Sequence, residues 1–149
     1  GLGLAMVRWQ LQRVLGRVPE MSLVLGEETT ATATWVTVLV LNGDLGADLP
    51  LGQGLSLGSG SFRVIAIRYL GLPQALRQIL AARRGTILSE PERYGCIIRT
   101  VDSLRVQPRD ARPYAVNVDG GAMVARGEVS ISVSGKIWLL SGTDQDARS

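Results

Sequence analysis

Thr30-Ala-Thr-Ala-Thr-Trp-Val-Thr-Val-Leu-Val-Leu41 is the stretch that decides the fold class. β-Branched and aromatic side chains fill it, and these suit a pleated surface better than the crowded wall of a helix. The stretch therefore predicts a strand over residues 30–41. Its second half, Trp35 to Leu41, is apolar at every position but Thr37, which implies that both faces are covered there. Asn42-Gly43 follows, a dipeptide that tolerates positive φ at both centres of a tight turn, so the chain is expected to reverse.

Beyond the reversal, residues 44–61 carry Gly46, Gly52, Gly54, Gly58 and Gly60 with Pro50, and read as a long loop or an irregular hairpin. Phe62 to Leu70 resumes alternation. Phe62, Val64, Ala66 and Arg68 fall on one face, and Arg63, Ile65, Ile67 and Tyr69 on the other. One helix is expected, over about residues 72–84. Pro73 fits its first turn, Leu72, Leu76, Ile79 and Leu80 form an apolar stripe, and Arg83-Arg84-Gly85 is a stop signal. The stripe is expected to pack on the protein's own sheet rather than to face a membrane.

Further on, Thr86 to Ser89 reads as a short strand, residues 90–95 as a turn, and Cys96 to Gln107 as one long strand. Tyr114 to Val118 is another strand, Asp119-Gly120-Gly121 a reversal, and Gly127 to Leu140 the last strand, broken near Gly135. There Val129, Ile131 and Val133 alternate with Ser130, Ser132 and Ser134, a half-buried pattern. Upstream, Met21 to Leu25 is a short apolar run. Residues 4–18 satisfy strand alternation through Val7, Trp9 and Leu11, and helical spacing through Leu4, Val7, Leu11, Val14 and Leu15; a strand is the favoured reading. Trp9, Trp35 and Trp138 are assigned to the core.

A length of 149 residues suits one β-rich domain, here expected to have a flexible N-terminal segment and a polar tail over 141–149. With 46% hydrophobic and 19% charged residues the chain is too apolar to be disordered, and some of its apolar surface is expected to meet a partner. Lys136 is the single lysine among 16 basic residues; arginine, with its planar, weakly hydrated fork, is favoured at protein contacts. Cys96 has no mate in the chain and reads as a small buried hydrophobe. No apolar run is long enough to span a bilayer.

Histidine is absent altogether, which removes the usual general base and a common metal ligand. Gly54-Leu55-Ser56-Leu57-Gly58 matches the G-x-S-x-G pattern of a nucleophile elbow, but the chain cannot supply a histidine partner and a strand follows where a helix should. Lys136 lacks the phosphate-loop context. The carboxylate pairs Glu27/Glu28, Glu90/Glu92, Asp44/Asp48 and Asp144/Asp146 fall in turns, loops or the tail, where such residues stabilise reversals or stay solvated. Arg77, Arg83, Arg84, Arg105, Arg109 and Arg112 form clusters, yet a net charge of +3, aromatics at 5% and interspersed acids give no platform for nucleic-acid readout. No catalytic residue, metal ligand or cofactor is expected.

In general style the chain resembles small structural proteins of tailed-bacteriophage virions: tail, baseplate and head-decoration subunits. The likeness is carried by the Thr30–Leu41 strand with its glycine-rich loop to Ser61, the inserted helix Leu72 to Arg84, and the flexible ends. It implies an α+β, mostly β fold, an antiparallel β-barrel or sandwich with one packed helix. It also implies a non-enzymatic subunit, tail or baseplate ahead of capsid decoration, assembled in the host cytoplasm and bound to copies of itself and to other structural proteins. The contacts expected from exposure are Leu55, Leu57, Arg83, Arg84, Arg109 and Arg112. A carbohydrate- or ligand-binding β-domain, and an enzyme built on carboxylates, arginine and tyrosine, are the alternatives.

Overall fold

The computed structural model describes residues 19–43, 50–52, 54, 59–118 and 121–134. Among these residues nine strands and one α-helix run in the order β1 (Met21–Leu25), β2 (Glu28–Thr29), β3 (Trp35–Leu41), β4 (Phe62–Arg68), α1 (Leu72–Arg84), β5 (Cys96–Val101), β6 (Ser103–Pro108), β7 (Tyr114–Val118), β8 (Gly121–Ala125) and β9 (Val129–Ser132). Two short 3₁₀ turns, Thr86–Leu88 and Glu92–Tyr94, link α1 to β5. One sheet has the order β2-β1-β6-β9, a second β3-β4-β5, and β7 with β8 forms a separate hairpin. Every pairing is antiparallel. The fold is therefore α+β, mostly β; of the two forms expected, the sandwich fits, and no barrel closes among the described residues.

The alternation in β4 sets the layers. Phe62, Val64 and Ala66 enter one core with Met21, Leu23, Leu25, Trp35, Leu104, Val106 and Tyr114, so this face of the second sheet meets the first sheet and the hairpin. Ile65 and Ile67 enter the other core with Val36, Leu41, Leu51, Ala81, Ala82, Ile87 and Cys96, between the second sheet and α1. The molecule is thus layered sheet, sheet, helix, with β3-β4-β5 in the middle, and the nearly unbroken apolar run of β3 follows from that placement.

A register shift between Trp35 and Thr37 makes this layering possible. Trp35, Val38 and Val40 all join the inter-sheet core, although strict period-2 alternation would put Trp35 opposite the other two. One extra residue restores the phase, as a bulge does. Trp35 is anchored by its indole N–H, which donates to the Met21 carbonyl at 2.9 Å, and the Arg68 guanidinium lies 5.7 Å from its ring centroid.

Three expectations are corrected and one strand is added. The strand predicted over 30–41 begins only at Trp35: residues 30–34 cross between the sheets, with the Thr30 N–H donating to Leu23 O, the Thr30 hydroxyl accepting from Leu23 N–H, and Ala33 bridging Met21. The strand predicted over 96–107 is two strands that divide at Asp102, because Cys96–Val101 pairs with β4 and Ser103–Pro108 with β1. Thr86–Leu88 is a 3₁₀ turn and not a strand; Gly85, at φ 74°, turns the chain in the left-handed region and accepts the Leu88 N–H. The strand β8 was missed in the sequence, since Gly-Gly-Ala-Met-Val-Ala is poor in β-branched residues; its pairing with β7 supplies what propensity does not. The expectations for residues 4–18 and 135–149, with Trp9 and Trp138, lie outside the described residues.

Candidate docking surface

Helix α1 follows from its sequence: Gly71 and Pro73 open it, and Arg83-Arg84 lead into the left-handed Gly85. Three of the four residues of its predicted apolar stripe stay outside, while Ile79 is half-buried against the core beneath the helix. The buried residues are Ala75, Gln78, Ala81 and Ala82, whereas Leu72 is 54% exposed, Leu76 59% and Leu80 53%. The reason is volume. Val36, Leu41, Leu51, Ile65, Ile67 and Ile87 already fill the space over the middle sheet, so the helix approaches through its small side chains.

Gln78 is the polar centre of that contact. Fully buried, it donates through Nε2 to the carbonyls of Arg68 at 2.8 Å and Tyr94 at 2.7 Å, tying α1 to the end of β4 and to the turn before β5. Its Oε1 has no partner among the described residues.

At 100° per residue, Leu72, Leu76 and Leu80 cover an arc of about 80° on the outer side, and Arg84 and Arg77 follow within about 60° more. Arg83 joins the leucine arc in the last turn. Leu70, just ahead of the helix, is another 53% exposed leucine. Arg77, Arg83 and Arg84 are exposed and have no carboxylate partner among the described residues. Between Asp48 and Glu90 the sequence holds no acidic residue and five arginines. Two of those five are used inside the fold, Arg68 over Trp35 and Arg63 donating to the Leu51 carbonyl at 3.0 Å.

The other expected contact arginines sit elsewhere and are engaged. Arg109 pairs with Glu20 at 2.8 Å and Arg112 with Asp110 at 2.8 Å. Hydrogen bonds from Arg112 hold the Asp110 carboxyl below its ordinary pKa. Arg93 pairs with Glu90 and Arg99 with Glu28, so among the described residues four arginines are matched with acids while the three on α1 are not. Leu55 and Leu57, and the G-x-S-x-G serine, lie outside the described residues.

Chemistry has little to work with among the described residues. No three metal-ligating side chains converge there. Glu90 and Glu92 line one open depression with Ser89, Pro91 and Arg93, but all five belong to a single turn and the Glu90 carboxylate is held by Arg93. The Cys96 thiol is buried, and desolvation pushes its pKa up to about 12, so it is packing rather than nucleophile. Tyr114, 4% exposed, is also structural: its hydroxyl donates to the Gly127 carbonyl at 2.7 Å and pins the hairpin to the turn before β9. No helix of the described residues is long and apolar enough to cross a membrane. No protein-family model and no curated protein matches this chain, so the outer face of α1 is characterised by its own geometry alone.

Proposed function

We propose that this domain works by contact and not by catalysis: it attaches to a larger body through the outer face of α1. One observation carries the reading. A sheet-sheet-helix fold that buries alanines and exposes a line of leucines leaves its most apolar helical face in water, and such patches on soluble domains mark interaction sites. The three arginines on and beside that face, which have no acid partner among the described residues, add direction, since closely approached arginine is characteristic of contacts.

The test is fractionation of the cells that make the protein. The full chain is expected in the pelleted fraction with its larger body, and a Leu76→Ser/Leu80→Ser variant, altered only at exposed positions, in the soluble fraction. An unchanged distribution for a folded variant would overturn the proposal. The resemblance to tail and baseplate subunits gives one form of such a body. It requires copies of the chain to close into a ring, and light scattering would show this as a defined multiple of 16.0 kDa.

A further inference from the structure

The geometry points to an anionic lipid surface as the partner of α1, with the helix lying in the membrane interface; this rests on the docking role proposed above. The argument begins with shape. Leu72, Leu76 and Leu80 form a convex ridge on the outermost layer of the fold, about 20 Å long for 13 residues, too short to span a bilayer and suited to lie along one. A ridge enters acyl chains without needing a complementary groove.

Charge selects the kind of lipid. Arg77 and Arg84 flank the ridge on one side and Arg83 stands in its last turn; none is matched with an acid among the described residues, and no acid occurs within residues 49–89. A basic helix with an exposed leucine face is the arrangement of interfacial anchors, in which the cations meet phosphate headgroups while the apolar side chains sink below them.

A second copy of the chain fits less well. Four half-exposed leucines offer on the order of 400 Å², about half of the ~800 Å² per partner of a standard interface. Two-fold antiparallel pairing of two such helices would also bring both arginine flanks to the same side, like charge beside like charge.

The experiment is co-sedimentation of the full chain with vesicles of phosphatidylcholine alone and of phosphatidylcholine containing about 30% phosphatidylglycerol, at low and high salt. Binding is expected to the anionic vesicles only, and to weaken with salt. Arg77→Gln/Arg84→Gln should lower the partition coefficient about 25-fold, at roughly fivefold per arginine. Leu76→Ser should lower it about tenfold while the far-ultraviolet circular dichroism stays native.

Absence of binding to the anionic vesicles overturns the inference, as does equal binding to both kinds or binding indifferent to these substitutions. If vesicles fail while Leu76→Ser dissolves a self-associated form, or abolishes capture by an acidic helical peptide, the lipid is wrong and the docking face stands. If vesicles fail and the cell fractionation is also unchanged, both fall.

Discussion

Substitution of Gln78 tests the packing on which the exposed leucines depend. The side chain is fully buried and its Nε2 donates two short hydrogen bonds, to Arg68 O and Tyr94 O. Gln78→Ala removes both donors and opens a cavity of amide size. At about 1 kcal/mol for each lost bond and about 1 kcal/mol for the cavity, the loss is about 3 kcal/mol. For a chain of this length that lowers Tm by about 6–12 °C. Gln78→Glu keeps the volume and adds a charge beside two carbonyl oxygens. Burial and those oxygens raise the folded-state pKa above the unfolded one, so the folded state binds the extra proton and this variant loses stability as pH rises from about 4 toward 7. Thermal unfolding by circular dichroism across that range reads both effects. A Gln78→Ala melt within about 2 °C of the parent, or a Gln78→Glu melt independent of pH, would refute the account of how α1 is seated.

Trp35→Phe keeps most of the ring volume and removes one of the two donors on the Met21 carbonyl, which keeps the Ala33 N–H at 3.0 Å; a loss of about 1 kcal/mol is expected in urea unfolding, with an unchanged m-value. Cys96, its pKa raised to about 12 by burial, should resist iodoacetamide at pH 8 in the native protein and react when urea unfolds it; labelling of the native form at the rate of a free thiol would contradict its place in the core. Arg112→Ala should move the Asp110 carboxyl part of the way up toward its ordinary range in an NMR titration, because the backbone N–H of residue 112 still donates to it. Because a depressed folded-state pKa stabilises fully above the unfolded value and is lost as pH falls through the folded one, the parent should lose more stability in acid than the variant; both groups are exposed, so the difference in Tm should be within about 2 °C.

Local pattern was legible wherever one face met one core. The two faces of β4 read correctly from alternation, and the helix bounds read correctly from Pro73 and Gly85, because both depend on neighbours in sequence. The face of α1 did not, because Leu72, Leu76 and Leu80 make a better stripe than Ala75, Gln78 and Ala82 until the bulk of Ile65, Ile67 and Ile87 is known to lie opposite. The divisions at Thr30–Thr34 and Asp102 were hidden for a related reason: a chain that changes partners stays extended, and extended residues look alike whichever sheet they serve. Of the expected contact residues, Arg83 and Arg84 are brought to one surface with Arg77, while Arg109 pairs with Glu20 across the fold and Arg112 with Asp110 two residues before it, so that only the first of these two pairings depends on tertiary placement.

At Asp102 the backbone leaves one sheet and enters the next without a loop, and its carbonyl accepts the Val133 N–H while the adjoining Ser103 carbonyl accepts that of Gly26. Such a joint has no slack. Pulling β5 away from β4 strains the pairing of β6 with β1, so fraying cannot stay on one side of the sandwich, and heat or denaturant should melt both halves together in one cooperative step.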